Sequence, residues 1–228
     1  FLFTGCRVVI ASRKLDRLKS TAEELSPKGK FVIPKLCNIR KENEVRNLIS
    51  STVSEFGRVD FLVNNGGGQF PSNASDISLK GWNAVIETNL TGTFLMCKEV
   101  YSQWMADNGG SIVNITADHY RGFPMMSHTG AARAAVDNLT KSLAVEWAEN
   151  GIRINAVTPG SNIYSPTAES NYGDNKIFQS VIPEVPMKRL GNTREGGECC
   201  DILTVPWAAF ITGAIFKVDG ERVLLKVA

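Results

Sequence analysis

The chain has 228 residues, 43% of them hydrophobic and 21% charged, enough for one core to bury about 70% of the unfolded surface. That excludes a disordered, collagen-like or small disulfide-framework protein. Lysine plus arginine number 25 against 23 acidic residues, and this net charge of +2 is too small and too scattered to imply a nucleic-acid partner.

Short β-branched runs alternate with longer amphipathic segments, the pattern of an α/β fold in which helices cover both faces of a parallel sheet. Strands are predicted over residues 7–11, 31–37, 60–64, 111–115, 152–157 and 214–218, each nearly all apolar, as doubly buried strands are. Helices are predicted over 14–25, 42–56, 81–106 and 128–149. In the last, Ala132, Val136, Leu139, Leu143 and Trp147 form a core-facing stripe. Without repeats, linkers or a break in composition, the simplest organisation is one domain. Residues 161–186 are rich in Ser, Asn, Tyr, Gly and Pro, and are expected to form a substrate lid or mobile loop. Spacing suggests a late helix over 194–206, opposed by Gly196 and Gly197 at about 1 kcal/mol each relative to alanine.

The five cysteines, Cys6, Cys37, Cys97, Cys199 and Cys200, contain no CxxC ligand pair, so no metal site is expected and the thiols should be reduced. No apolar run reaches the roughly 18 residues of a membrane helix, and 205–216 is interrupted by Pro206 and Gly213. No cleavable leader is recognised at the start, and Leu225, Lys226, Val227, Ala228 is not a peroxisomal address of the Ser-Lys-Leu type.

Several segments carry chemistry. Ser12, Arg13 and Lys14 follow the first predicted strand. In a dinucleotide fold that position meets the adenosine ribose, where cations accommodate the 2′-phosphate of NADP. Asn64, Asn65, Gly66, Gly67 and Gly68 follow another strand, where glycines allow close approach of backbone to a ligand and equally suit a tight turn. Asn89, Leu90, Thr91, Gly92 fall within a helix. Val113 to Thr116 and Asn155 to Gly160 end two further strands, so polar strand ends should share one carboxyl edge.

Together with Lys141 to Glu146 and Ile211 to Gly220, these motifs resemble the short-chain dehydrogenase/reductase family. Within it, the Asn-Asn-Gly-Gly-Gly-Gln-Phe run at 64–70 is most similar to the peroxisomal trans-2-enoyl-CoA reductases. The resemblance implies a Rossmann-like doubly wound sheet, NADP(H) as cofactor, an acyl-CoA thioester as substrate and peroxisomal residence. It also implies homotetramers built on the helices beginning near Gly81 and His128. Ser12, Arg13, Lys14, Asn38 and Ile39 would face the adenosine half of the cofactor. Asn65, Gly66, Gly67, Pro159 and Gly160 would line its path to Asn89 and Arg133.

The same resemblance puts Asn89 at the family's catalytic asparagine and Thr116 near its serine. Thr129 stands where the tyrosine is usual, and Arg133 where the lysine is usual. A threonine hydroxyl is a poor acid beside a phenol, and arginine stays protonated, so ordinary ketone reduction is disfavoured. Saturation of a double bond conjugated to a thioester asks mainly for donors at the developing enolate. Tyr120, Thr116, Thr129 and solvent are rival proton sources. The subgroup's own tyrosine falls where this chain has Asp137, which reads as a solvated helix position, and His119 and His128 read as loop polar groups lacking an orienting partner.

The family's opening strand and glycine-rich turn are not recognised. Thr4 and Gly5 either end that strand, with its loop and helix deleted, or residues 1–5 are the tail of the first helix with Gly5 as its cap. A carbonyl or 3-oxoacyl thioester reductase and a noncatalytic oligomer-forming relative are the other readings.

Overall fold

The computed structural model describes residues 1–2, 5–27, 29, 31–166, 169 and 176–220. Thr4, residues 167, 168 and 170–175 of the expected lid, and the terminus at Leu225–Ala228 lie outside them.

Elements follow in the expected order: β1 (Val8–Ser12), α1 (Leu15–Leu25), β2 (Val32–Leu36), α2 (Glu42–Phe56), β3 (Phe61–Asn64), α3 (Leu79–Ile86), α4 (Gly92–Val100), α5 (Ala106–Asn108), β4 (Gly110–Ile115), α6 (Ser127–Glu146), β5 (Ile152–Pro159), β6 (Ile163–Tyr164), α7 (Lys176–Val181), β7 (Gly191–Asn192), α8 (Thr193–Thr204) and β8 (Ile215–Val218). All ladders are parallel. The main sheet runs β3-β4-β5-β8, while β1 pairs with β2 and β6 with β7 in separate two-stranded sheets.

Alternation along β4 divides the core. Ile112 packs with Leu62, Ile152 and Ile154 under α2, α4 and α6, through Val45, Leu48, Leu95, Val100 and Leu143. Val113 faces the opposite side, with Val157 against Cys200 and Leu203 of α8. Successive residues of a strand point to opposite faces, so an all-apolar strand serves two helix layers at once. This is the Rossmann-like architecture the sequence implies.

Two expectations need correction, those for the helix over 81–106 and for the lid, while the late helix is borne out. The helix predicted over 81–106 begins at Leu79, with the Ser78 hydroxyl accepting the Gly81 N–H at 3.1 Å, and two π-helical stretches, Glu87–Thr91 and Tyr101–Met105, interrupt it. The late helix forms as α8 despite its glycines, because Asn192 and Glu195 close a capping box on its first turn. The described part of the expected lid holds β6, α7 and a 3₁₀ turn at Ile182–Glu184, with Phe178 and Val185 buried, so it is in part an ordered element.

Cβ atoms built on Gly196 and Gly197 meet nothing within 4 Å. Replacing either with alanine is expected to stabilise the fold by about 1 kcal/mol, raising Tm by roughly 2–4 °C in calorimetry. No gain from either would mean that α8 needs its glycines for a contact outside this chain. Gly5 has φ 84°, its N–H donates to Leu2 O, and the Cys6 N–H donates to Phe1 O.

Candidate active site at the carboxyl edge

The register of the ladders brings the polar strand ends together: Asn64 lies opposite Asn114, Asn114 opposite Ala156, and Ile115 opposite Val157. Asn64 Nδ2 donates to Asn114 Oδ1 at 2.9 Å and to Cys97 Sγ at 3.2 Å, and Asn114 Nδ2 donates to Thr140 Oγ1 at 2.9 Å. This fully buried chain joins β3, β4, α4 and α6. Each member would be costly to leave unpaired, so the rim is rigid. Burial pushes the Cys97 thiol up to about 12, and it stays protonated within this network.

The glycine run after β3 folds back over α3 and α4. Asn89 sits in the π-helical stretch between them, where its amide donates to Val85 O (2.9 Å) and Gly68 O (2.7 Å) and accepts the Gly68 N–H (3.3 Å). A Cβ on Gly67 would run into Arg133 Nη2 and lie 2.9 Å from Asn89 Oδ1. Gly66 and Gly92 are similarly held against Ile39, whose Cδ1 would lie 2.7 and 2.8 Å from added Cβ atoms. The glycines allow this close packing, which brings Ile39, Gly67, Asn89 and Arg133 into one cluster.

Arg133 projects from α6 and donates through Nη1 to Ile115 O at 2.7 Å. Burial pulls its guanidinium down to about 10, with the charge of Asp137 acting the other way, so it is charged at neutral pH. No carboxylate lies within ion-pair distance of it among the described residues. Thr129, one turn earlier, is buried, and its hydroxyl has no partner. Thr116 Oγ1 is 2.7 Å from Thr158 Oγ1 across β4 and β5. Tyr120 stands apart: its ring is 71% exposed beneath Lys217 Nζ, 4.4 Å from the centroid.

At the other end, Ser12 Oγ faces the Lys14 N–H at 3.4 Å, and Arg13 and Lys14 are exposed, without ion-pair partners among the described residues. Asn38 shapes the next strand exit: its N–H donates to Glu44 Oε2 and its Oδ1 accepts the Arg40 N–H. Asn65 and Gly66 follow β3 and are exposed. Gly160 is packed against Asp219 and Asn162, and its N–H bonds Val218 O, so with Pro159 it forms the wall closing this rim toward β8.

Three sequence expectations fail here. His119 has an orienting partner, since its Nε2 lies 2.8 Å from Asp137 Oδ2. Asp137 is accordingly not solvated: its side chain is 15% exposed. His128 is no loop group either, being fully buried in the first turn of α6, with Phe70 edge-on at 4.5 Å.

A family model described as enoyl-(acyl carrier protein) reductase matches residues 1–220. The chain belongs to the short-chain dehydrogenase/reductase family. A similar member is the peroxisomal 2,4-dienoyl-CoA reductase [(3E)-enoyl-CoA-producing] of Danio rerio, 35% identical over 218 residues that cover 95% of this chain and 73% of that protein. Another is the glucose 1-dehydrogenase of Gluconobacter oxydans, 36% identical, with 98% and 85% covered. Among solved structures, a variant of actinorhodin polyketide ketoreductase with NADPH aligns at a TM-score of 0.89 and 30% identity, over 96% of this chain and 88% of that one. Short-chain dehydrogenase/reductase members are oxidoreductases using a nicotinamide cofactor, and the residues here fit one. A close-packed glycine loop leads to a buried cation, and exposed cations stand at the exit of β1, none with a carboxylate partner among the described residues.

Proposed function

We propose that this protein is an NADPH-dependent reductase that saturates the double bond conjugated to the thioester of a fatty enoyl-CoA. The observation that carries the reading is Arg133, buried and charged, with Thr129 in place of a phenolic acid. The cofactor, when bound, supplies the hydride. Ser12, Arg13 and Lys14 would hold the 2′-phosphate, with Asn38 and Ile39 at the adenosine. Asn65, Gly66, Gly67, Pro159 and Gly160 would shape the path to the nicotinamide.

Hydride addition at the β carbon throws charge onto the thioester oxygen as an enolate. Arg133 and the Thr116–Thr158 hydroxyl pair would line that end of the site, with Thr129 behind them, while Asn89, whose amide hydrogens go to Val85 O and Gly68 O, would hold the glycine loop beside Arg133. Fixed donors of this kind lower the barrier by a few kcal/mol without an acid at the carbonyl. The dienoyl-CoA reductase named among the relatives supports both the thioester and the peroxisome. Self-association through α4 and α6, where Phe94 and Val145 are exposed, belongs to the same reading and is checked by sedimentation.

The purified protein is expected to oxidise NADPH with medium-chain trans-2-enoyl-CoA or 2,4-dienoyl-CoA. Turnover of 3-oxoacyl-CoA alone would overturn the reading in favour of a carbonyl reductase. Replacing Arg13 and Lys14 together with alanine is expected to cut the preference for NADPH over NADH by roughly ten- to a hundredfold in kcat/KM. An unchanged ratio would remove the 2′-phosphate from that corner.

A further inference from the structure

We propose that His119 and Asp137 form the proton-supplying pair of this reductive site; the inference rests on the function proposed above. His119 lies in the loop that leaves β4, three residues after Thr116, and Asp137 lies on α6, one turn beyond Arg133. Residues four apart on a helix share a face, so Thr129, Arg133 and Asp137 form one stripe. The middle member of the stripe is bonded to Ile115 O at the end of β4, and the last to the His119 ring. The loop is held on its other side by the Asp118 N–H, 3.3 Å from Pro159 O of β5. The ring is thereby fixed beside the same strand ends that carry Thr116 and Thr158.

Among the described residues already placed at the site there are a cation and hydroxyls but no acid suited to neutral pH. The Thr129 hydroxyl is buried and unpartnered, Arg133 holds its proton, and the Tyr120 ring is turned out beneath Lys217. Imidazole is the side chain that exchanges protons near neutrality, and it does so best when a carboxylate fixes one nitrogen and stabilises the cation. Asp137 meets that description: Oδ2 holds His119 Nε2, while Oδ1 is buried without another hydrogen bond. A carboxylate serving only as a strut at a helix surface would be expected to keep its second oxygen in water.

The step balances. As hydride from NADPH forms the C–H bond at the β carbon, the π electrons of the double bond move into the enolate. The His119 imidazolium then gives its Nδ1 proton to the α carbon, so that one N–H bond breaks and one C–H bond forms. The neutral ring, still donating through Nε2 to Asp137, takes a replacement proton from solvent. The histidine side chain is 22% exposed, enough for that return. The thioester gains one proton from the ring and one hydride, which the cofactor would supply when bound.

The test uses the full chain with four variants: His119→Ala, His119→Gln, Asp137→Asn and Asp137→Glu. His119→Ala is expected to lower kcat with trans-2-enoyl-CoA by about a hundredfold, leaving KM and NADPH affinity within a fewfold, with imidazole in the buffer restoring part of the rate. Asp137→Asn should lower kcat similarly, and Asp137→Glu should recover part of the loss. Independently of turnover, the free protein should show a downfield imidazole N–H proton resonance that Asp137→Asn and His119→Gln both abolish. Unchanged kcat in His119→Ala and His119→Gln, beside an active wild type, overturns the pair and leaves the proposed function standing. Parallel losses in kcat, NADPH affinity and thermal stability without imidazole rescue also overturn it, showing a structural strut. A wild type that reduces no thioester brings down both readings.

Discussion

Replacing Arg133 with methionine is expected to reduce kcat/KM for enoyl-CoA reduction by roughly 10²–10³, the scale of losing one fixed donor at a developing oxyanion. Methionine fills much of the same volume, so the packing of α6 against the sheet should survive. The bond from Nη1 to Ile115 O is lost, and the charge at the rim disappears with it. Arg133→Lys should retain part of the activity, since it keeps the cation but not the two-pronged reach of guanidinium. Stopped-flow reduction with NADPH in excess measures the effect on the reductive half directly. A variant with Met at this position that reacts as fast as the parent would show that the buried cation serves packing alone.

Gly67→Ala tests the same cluster from the opposite side. The added methyl would meet Arg133 Nη2, whose sister nitrogen Nη1 donates to Ile115 O, and Asn89 Oδ1, which accepts the Gly68 N–H. Either the guanidinium is pushed off Ile115 O or the loop lifts away from Asn89. Overpacking of this kind costs about 1–3 kcal/mol, visible as a lower midpoint in urea unfolding. Activity should fall by at least tenfold, because the displaced group is the one the reaction needs. Gly68→Ala is the control. Its Cβ would meet only Thr88 Cγ2, at 3.9 Å, so it should leave both stability and activity nearly unchanged. Equal behaviour of the two variants would show that close approach at Gly67 has no functional consequence.

Much of the fold is legible in the amino-acid sequence, for a specific reason. Runs such as residues 152–157 are apolar at nearly every position, and a strand covered on both faces makes use of that pattern. The helix at Glu42–Phe56 is bounded as its periodicity predicts. Where local pattern and tertiary demand diverge, the reading slips. The π-helical stretch at Asn89 leaves no mark in hydrophobic spacing, because it goes with an amide that reaches Val85 O and Gly68 O together. The order found in the expected lid has a similar source: Phe178 and Val185 are buried by parts of the chain that polar composition does not reveal.

The candidate site divides in the same way. Residues on one strand end or one helix turn, such as Asn89, Thr116 and Arg133, are named by the family resemblance that their motifs carry. His119 and Asp137 lie 18 residues apart, on a loop and a helix, and neither periodicity nor motif connects them. The same holds for Asn64, Cys97, Asn114 and Thr140, brought together from two strands and two helices.

The amino-acid order alone therefore determined the layered α/β class, the parallel strands and the polar edge where they end. These follow from burial and backbone geometry acting over a few neighbouring residues. The tertiary structure decided which side chains at that edge are charged without a counter-ion, which are paired and which are turned outward. Desolvation and hydrogen bonding depend on what lies within a few ångströms in space, whatever the separation along the chain.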